Sequence, residues 1–353
     1  MVRAATGAFT IADLTIGAGR CFVIAEAGVN HNGRVDLAHQ LVDVAADAGA
    51  DAVKFQTFDP AQLASPDAEK AAYQVRNTGS TESQLEMLAK LVLPADAYRE
   101  LQSHATERNI MFLSTAFDEG SADFLNDLGM PAFKVPSGEV TNHLLLSHVA
   151  QLGKPILLST GMSTEREVEA ALGCIQRTAD VPVALFHCVS NYPAPPEDCN
   201  LRAIESMRRR FDIPVGWSDH TTGTLVSVVA VAAGAELLEK HFTLHRSMPG
   251  PDHAASLEPA ELTALVASVR TVEAAMGTGE KRPSNGERDT AAVARRSLFA
   301  AEEMDVGHVV ARDDVVALRP GTGISPAELP RILGRRLGRA VKKGEMLAEH
   351  HFA

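Results

Sequence analysis

Three histidines lie close together in the segment from Glu239 to His253, and their spacing raises the question of which one does chemistry. His241 and His245 are four residues apart, like the two zinc-binding histidines of a helical metalloprotease motif. That motif needs a glutamate directly after the first histidine, whereas this chain has Phe242 in a segment that leaves a predicted strand. A zinc protease is therefore disfavoured, and we interpret His245 and His253 as loop residues without a catalytic role.

A second histidine pair is more informative. His220 and His241 end two consecutive predicted strands, 21 residues apart. Either one alone would be interpreted as an ordinary core histidine. Because neighbouring strand ends converge in a barrel, the two together indicate a metal site with open coordination positions, suited to a divalent ion such as Mn²⁺.

Lys54 and Lys134 lie inside two separate apolar runs. A single such lysine would be interpreted as a surface residue, but two in different buried strands indicate that an anion meets them, since an unpaired buried ammonium is costly. Hydroxyl groups at other strand ends suit a phosphate or carboxylate. These hydroxyl residues are Thr115, Ser137, Ser159 and Ser218.

The elements that position these residues are eight apolar runs that alternate with helix-like stretches from residue 21 to about residue 276. Nearly continuous apolar runs are typical of parallel strands buried on both faces. The predicted strands are 21–28, 51–58, 110–117, 132–138, 155–161, 183–190, 215–220 and 237–242. This order predicts an α/β fold, a TIM (β/α)8 barrel, whose site lies at the carboxyl ends of the strands.

Two stretches between the strands, 35–50 and 163–178, predict helices, and Ser163 or Thr164 would cap the second. A doubly wound sheet is the alternative architecture. The segment after the first strand, AEAGVNHNG, lacks the Gly-rich fingerprint of dinucleotide-binding sheets.

Composition limits the class of protein and its partners. The chain has 353 residues, and its formal net charge of −12 argues against a nucleic-acid partner. The four cysteines lack CxxC or zinc-site spacing and no secretory leader is evident, so we expect a cytoplasmic protein. The interrupted apolar stretch from Leu225 to Leu238 is shorter than the ~20 residues of a membrane helix and predicts a buried helix followed by a strand.

The sequence changes character after Met276. Residues 1–280 form the predicted barrel domain, 281–294 are polar and turn-rich and predict a linker, and 295–353 predict a small module of short strands and turns. A module of this size buries only about 60% of its unfolded surface, so we expect it to dock on another surface.

Many segments, in order and at the predicted strand ends, resemble the sialic acid synthases, the family of the N-acetylneuraminate and legionaminate synthases. They are IAEAGVNHNG, AVKFQTF, FKVPSGE, LLSTGMST, HCVSNYPAPPED, GWSDHTTG and EKHFTLHRSMPGPDHAASLEP. LRPGTGISPAEL and GRAVKKGEML resemble the antifreeze-like (SAF) domain that follows the barrel in this family. The resemblance covers nearly the whole chain.

The resemblance implies condensation of phosphoenolpyruvate with an N-acylated mannosamine-type sugar, such as N-acetylmannosamine or 2,4-diacetamido-2,4,6-trideoxymannose. Carbon 3 of the enol attacks the sugar aldehyde, water attacks carbon 2, and phosphate leaves by C–O cleavage. A divalent metal, Mn²⁺ or Mg²⁺, would be held by His220 and His241 and would polarise the aldehyde.

The same resemblance implies roles for single residues. The catalytic candidates are Glu26, Lys54, Lys134 and Glu139, with Glu26 assigned to proton transfer or to placing water. Phosphoenolpyruvate would be held by both lysines and by Thr115, Ser137, Ser159 and Ser218, with either Ser190 or Asn191 on the phosphate. The sugar or the water on the metal would meet Gln56, Asn77, Glu139, Tyr192 and Asp252.

A domain-swapped homodimer also follows from the resemblance. In this family the SAF domain of one subunit caps the barrel of the other, and the arginine of the RPG turn, here Arg319, reaches the partner's sugar. From the residues alone, Arg319 would be interpreted as an ordinary surface arginine in a Pro-Gly turn.

This chain departs from the family pattern at Val189, Trp217 and His245. Two alternatives compete with the synthase interpretation. A 3-deoxy-sugar-acid synthase acting on a phosphorylated aldose would need a further set of basic residues, which the sequence does not show. An inert sugar-binding barrel would not need Glu26, two buried lysines and two histidines together.

Overall fold

The structure is a computed structural model that describes residues 7–79 and 81–353. The chain divides into a first unit that ends at Gly279 and a second unit from Glu280 to Ala353, each with its own apolar core. None of the helices in the described residues is both long and apolar enough to cross a membrane.

Eight parallel strands form a closed barrel, which confirms the predicted TIM-type fold. They follow a short antiparallel hairpin of β1 (Phe9–Ile11) and β2 (Leu14–Ile16). The barrel strands are β3 (Phe22–Gly28), β4 (Ala52–Thr57), β5 (Met111–Ala116), β6 (Phe133–Val135), β7 (Ile156–Ser159), β8 (Val183–Cys188), β9 (Val215–Asp219) and β10 (Leu237–His241). Each strand pairs with the next, and β10 closes the ring on β3.

The helices of the first unit connect these strands. They are α1 (Val35–Asp47), α2 (Pro60–Leu63), α3 (Ala72–Thr78), α4 (Gln84–Ala89), α5 (Ala95–Glu107), α6 (Glu119–Asp127), α7 (His143–Gln151), α8 (Glu165–Thr178), α9 (Arg202–Phe211), α10 (Leu225–Ala232) and α11 (Pro259–Met276). Helix α8 begins with a capping box, because the Thr164 hydroxyl accepts from the Glu167 amide and the Glu167 carboxylate accepts from the Thr164 amide. Thr164, and not Ser163, is therefore the cap.

Helix α10 corrects one expectation. The stretch was predicted to begin with a buried helix, and the helix does bury Ser227, Ala230 and Val231. However, the side chains of Leu225 and Val229 are 73% and 47% exposed, so only one face of α10 packs on the barrel.

The second unit contains α12 (Glu287–Ala294), the antiparallel strands β11 (Ser297–Ala300) and β12 (Val315–Leu318), and α13 (Leu329–Ile332). The predicted linker 281–294 thus includes a helix. The end of this helix is held to the RPG turn, because Gly321 donates to the Ala292 carbonyl at 2.8 Å and Arg319 Nε donates to the Ala294 carbonyl at 3.0 Å.

Candidate active site

A cavity of about 430 Å³ opens at the carboxyl ends of the barrel strands. Most of the residues predicted for the site line it. They are Glu26, Lys54, Gln56, Thr115, Lys134, Ser137, Glu139, Ser159, Ser190, Tyr192, Ser218, His220, His241 and Asp252. Two others of the first unit, Asn77 and Asn191, do not line it, and Arg319 belongs to the second unit.

The deepest part of the cavity holds two lysines and two glutamates, all buried. Lys54 Nζ lies 2.7 Å from Glu26 Oε2 and 3.6 Å from Glu239 Oε2, and it donates to Thr115 Oγ1 at 2.6 Å. Lys134 Nζ donates to Glu239 Oε1 at 3.2 Å. With both glutamates ionised the four charges sum to zero, which explains how two lysines can be buried here.

Glu239 belongs to this buried group of charges, although the sequence analysis assigned it no role. Its carboxylate lies between both lysines and accepts from Ser218 Oγ at 2.9 Å. Glu239 precedes His241 by two positions on β10, so the two side chains point to the same face of the strand. That two-residue spacing from a candidate metal ligand was the signal available in the sequence.

The two carboxyl groups have different electrostatic surroundings. Burial, with a contribution from Glu239, raises the pKa of Glu26 to about 7, although Lys54 opposes this rise. Burial also acts to raise the pKa of Glu239, but the ammonium groups of Lys134 and Lys54 outweigh it and lower that pKa. Glu239 is therefore a permanent counter-ion, whereas Glu26 can take up and release a proton near neutral pH.

Small polar side chains surround the backbone of Gly161, and several of them line the same cavity as the two lysines and two glutamates. The Gly161 amide donates to Ser137 Oγ at 2.9 Å, and Ser137 Oγ lies 3.1 Å from Cys188 Sγ. A Cβ atom on Gly161 would overlap the hydroxyl of Ser190. Ser159 Oγ is buried without a hydrogen-bond partner among residues 7–79 and 81–353, which leaves it available to an anion in the cavity.

Ser190 and Asn191, which the sequence left as alternatives, differ in placement. Ser190 lines the cavity next to Gly161, whereas Asn191 is exposed and lies outside the lining. Of the two, Ser190 is the one that can meet a group inside the cavity.

His220 and His241 meet at one side of the cavity, with 5.6 Å between their ring centroids. His220 Nδ1 lies 2.7 Å from the Val189 carbonyl, and the ring of Tyr192 packs at 4.1 Å from the His220 ring. Burial lowers the pKa of His220 to about 4, and burial together with His220 lowers the pKa of His241. Both imidazoles are thus neutral at pH 7, the form that binds a metal.

The donor set fits a divalent metal with an incomplete protein shell. Within the described residues, His241 Nδ1 is buried without a hydrogen-bond partner. In the same part of the chain no group of three or more His, Cys, Asp or Glu side chains is arranged to hold a metal. The pair would therefore supply two imidazole ligands, and water or substrate would complete the coordination.

The loop that carries Asp252 is held from three sides. Asn32 Nδ2 donates to the Pro249 carbonyl at 2.8 Å, and Asn77 Nδ2 donates to the Pro251 carbonyl at 2.6 Å. Thr243 follows β10, and its Oγ1 atom lies 2.6 Å from His253 Nδ1. Asn77 thus supports the loop, and its contact with the sugar or the water on the metal stays a prediction.

His253 was interpreted from the sequence as a loop residue without a catalytic role, and the structure shows that it supports the loop from a buried position. Its side chain is fully buried and Nε2 lies 3.2 Å from Asn32 Oδ1. Burial lowers the pKa of His253 to about 4, so the ring is a neutral hydrogen-bonding group at pH 7. It stabilises the position of the neighbouring Asp252, whose own pKa is raised by burial to about 6.

Comparison with known proteins identifies the family of the chain. The model of the NeuB family matches residues 41–281, and the model of the SAF domain matches residues 295–353. The chain is 44% identical to the N,N'-diacetyllegionaminic acid synthase of Legionella pneumophila, over 94% of each chain. It is 35% identical to the N-acetylneuraminate-9-phosphate synthase of Homo sapiens, over 93% of this chain and 92% of that one.

A solved structure gives the same result. The N-acetylneuraminic acid synthetase of Leptospira borgpetersenii superimposes with a TM-score of 0.71 at 32% identity, over 80% of this chain and 94% of that one. The barrel, the C-terminal module and the sequence similarity over nearly all of the chain agree, and together they place this protein in the NeuB family of sialic acid synthases.

Proposed function

We propose that this chain condenses phosphoenolpyruvate with an N-acylated mannosamine-type sugar and water, giving a nonulosonic acid and phosphate. The observation that carries the proposal is that buried Lys54 and Lys134 line a barrel cavity together with several hydroxyl groups, of which that of Ser159 has no hydrogen-bond partner among the described residues. The similarity to legionaminic acid and sialic acid synthases over most of the chain supports it.

The floor of the cavity suits the anionic substrate. Phosphoenolpyruvate carries three negative charges at most, and Lys54 and Lys134 would meet its phosphate and carboxylate. Thr115, Ser137, Ser159 and Ser190 would donate hydrogen bonds to the same groups, and Ser218 would do so once its hydroxyl turns away from Glu239. An arriving anion competes with Glu26 for Lys54, which favours the protonated form of Glu26.

Glu26 is then placed to move a proton near the reacting carbons. In the condensation, carbon 3 of the enol forms a bond to the aldehyde carbon, whose oxygen gains a proton. Water adds to carbon 2 and loses one proton, and the hydroxyl so formed gives its remaining proton to the phosphate as the C–O bond breaks and the carbon 2 carbonyl forms. A carboxyl group with a pKa of about 7 can donate in one of these steps and accept in another.

His220 and His241, which both line the cavity, would hold a divalent metal, Mn²⁺ or Mg²⁺. When bound, such an ion polarises an aldehyde oxygen. Gln56, Glu139, Tyr192 and Asp252 line the same cavity and would bind the hydroxyls of the open-chain sugar.

The exposed Arg319 would act on a second copy of the chain. We expect a homodimer in which the SAF domain of one subunit caps the barrel of the other, so that Arg319 of the partner subunit reaches the sugar. The support is the family membership and the match of the SAF model to residues 295–353.

Phosphate release tests the proposal. The full-length protein is incubated with phosphoenolpyruvate, Mn²⁺ and one of three sugars: N-acetylmannosamine, its 6-phosphate, or 2,4-diacetamido-2,4,6-trideoxymannose. We expect phosphate release and a nine-carbon acid by mass spectrometry with at least one of them. Absence of release with every N-acyl sugar, together with release on arabinose 5-phosphate, would show that the substrate is instead a phosphorylated aldose.

A further inference from the structure

A cluster of four aromatic rings lies at the side of the cavity where His220 and His241 meet. The ring of Tyr192 packs on His220, with 4.1 Å between the ring centroids, and makes a T-shaped contact with His241 at 5.8 Å. The ring of Tyr73 in turn stacks on Tyr192, at 4.8 Å and with an interplanar angle of 28°. Tyr192 therefore contacts both histidines and a second tyrosine.

Tyr73 belongs to the short helix α3, in the long connection between β4 and α5. None of the residues of α3 is buried. Two of its side chains reach the loops that follow barrel strands, because Tyr73 stacks on Tyr192 after β8 and Asn77 donates to the Pro251 carbonyl after β10. Tyr73 thus connects α3 with the histidine side of the cavity, although α3 has no buried apolar face of its own.

Both tyrosine side chains are neutral, and both lie near Asp252. Burial, with a contribution from Asp252, raises the pKa of Tyr73. Burial, with contributions from Tyr73 and Asp252, raises the pKa of Tyr192 well above its ordinary value. Stacked aromatic pairs gain free energy beyond the burial of their area, so the Tyr73 ring favours one orientation of the Tyr192 ring.

The orientation of the His220 ring depends on what surrounds it. His220 Nδ1 lies 2.7 Å from the Val189 carbonyl, and this contact leaves the ring free to tilt about the direction to that carbonyl. The Tyr192 ring, packed against His220, restricts the tilt. Groups that orient metal ligands in this way typically change the affinity for the metal by about 10- to 100-fold when they are replaced.

We propose that Tyr73 is a positioning residue for the metal site. Through Tyr192 it holds the His220 ring in the orientation that binds a divalent ion. The inference rests on the proposed function, because it takes His220 and His241 as the metal ligands. Tyr73 also lines the cavity, so a direct contact with the sugar is the competing role.

Metal binding in the absence of any sugar separates the two roles. The dissociation constant of Mn²⁺ is measured on the full-length, metal-stripped protein by electron paramagnetic resonance of the free ion, without phosphoenolpyruvate. In Tyr73→Leu we expect this constant to rise about 10- to 100-fold. In Tyr73→Phe, which keeps the ring, it should stay within about twofold of the wild-type value. Arg76→Leu, at an exposed position of α3 that does not line the cavity, is the matched control and should bind Mn²⁺ like the wild type.

A double-mutant cycle tests whether Tyr73 acts through Tyr192. Tyr192→Leu alone should weaken Mn²⁺ binding at least as much as Tyr73→Leu does. Adding Tyr73→Leu to it should have little further effect, because the ring through which Tyr73 acts is gone. Fully additive losses would overturn the inference. Thermal unfolding shows whether each variant folds, and Tyr73→Gln takes the place of Tyr73→Leu if that variant does not.

The remaining outcomes distinguish this inference from the proposed function. Unchanged Mn²⁺ affinity in Tyr73→Leu, with a raised KM for the sugar, would assign Tyr73 to the sugar and overturn the inference while the proposed function stands. An equal loss of Mn²⁺ affinity in Tyr73→Phe would overturn it too, since the ring would then not be the active part. No Mn²⁺ binding by the wild-type protein would overturn the metal assignment itself, and the inference would fall with it.

Discussion

Gly161 shows how a missing side chain shapes the floor of the cavity. A Cβ atom at this position would overlap the Ser190 hydroxyl and lie 3.0 Å from both Cys188 Sγ and Ser137 Oγ. The backbone angle of Gly161 is one that any residue adopts, so an alanine would be excluded by the neighbours and not by strain. The three side chains would have to move away from the positions in which they can meet an anion.

Gly161→Ala should therefore weaken the binding of phosphoenolpyruvate. We expect its KM to rise about tenfold or more, because small displacements of positioning groups cost up to about 10²-fold. The matched control is Gly120→Ala in α6, where the new Cβ would meet only Asp118 Oδ1 at 3.4 Å. Steady-state kinetics and thermal unfolding of both variants check this, and an unchanged KM in Gly161→Ala would show that this backbone does not shape the substrate site.

Strands β9 and β10 are joined behind the cavity by a buried ion pair. Lys240 Nζ lies 3.2 Å from Asp219 Oδ2 and donates to the Thr221 carbonyl at 2.5 Å, while Ser227 of α10 donates to Asp219 Oδ2. Asp219 and Lys240 are partners in the strand register. Each directly precedes a histidine of the cavity, so the pair holds the two histidine-bearing strand ends at a constant spacing.

Removing one partner of this pair should be strongly destabilising. Asp219→Asn leaves a buried ammonium without its counter-ion, and we expect the free energy of unfolding to fall by about 3–5 kcal/mol. Adding Lys240→Met to that variant should recover most of the loss, because no buried charge remains. Urea denaturation measures both.

The exposed pair of Glu205 and Arg209, at 2.9 Å in α9, is the control. Glu205→Gln should change the free energy of unfolding by less than about 1 kcal/mol, since exposed ion pairs contribute little. A loss in Asp219→Asn no larger than in Glu205→Gln would mean that the buried pair does not stabilise the strand ends.

At the scale of the whole molecule, the two units of the chain have separate apolar cores. In the proposed dimer, the barrel and the SAF domain of one chain would contribute to two different active sites. The barrel of one subunit would work with the SAF domain of the other. If each site is shared in this way, a defective barrel in one subunit and a defective SAF domain in the other leave one intact site per mixed dimer. A single variant cannot test this, because both of its sites carry the same defect.

Mixed dimers of His220→Ala and Arg319→Ala should recover activity. Each variant alone is expected to be nearly inactive, the first through loss of a metal ligand and the second through loss of a sugar contact. In each mixed dimer one of the two sites would pair an intact barrel with an intact SAF domain, so we expect about half of the wild-type activity after the mixed dimer is purified. Phosphate release from the purified mixed dimer measures the recovery, and no recovery despite confirmed mixing would place Arg319 in its own subunit's site or outside any site.

Much of the fold and the floor of the site could be predicted from the chain alone. The eight apolar runs agree with the eight barrel strands to within a few residues at each end, because parallel strands buried on both faces leave a continuous apolar signal. The same signal made four cavity residues predictable, because polar residues stand out in or at the ends of such apolar runs. They are Lys54, Lys134, His220 and His241, and the barrel topology brings the strand ends together.

The tertiary structure decided which polar groups bond to each other. The contacts of Asn77 with Pro251 and of His253 with Asn32 join residues 174 and 221 positions apart, and no periodicity in the sequence encodes them. Glu239 became a counter-ion for two lysines only when β4, β6 and β10 closed into one ring. Local patterns determine the elements, whereas partners of buried charges depend on distances between elements that only the closed barrel sets.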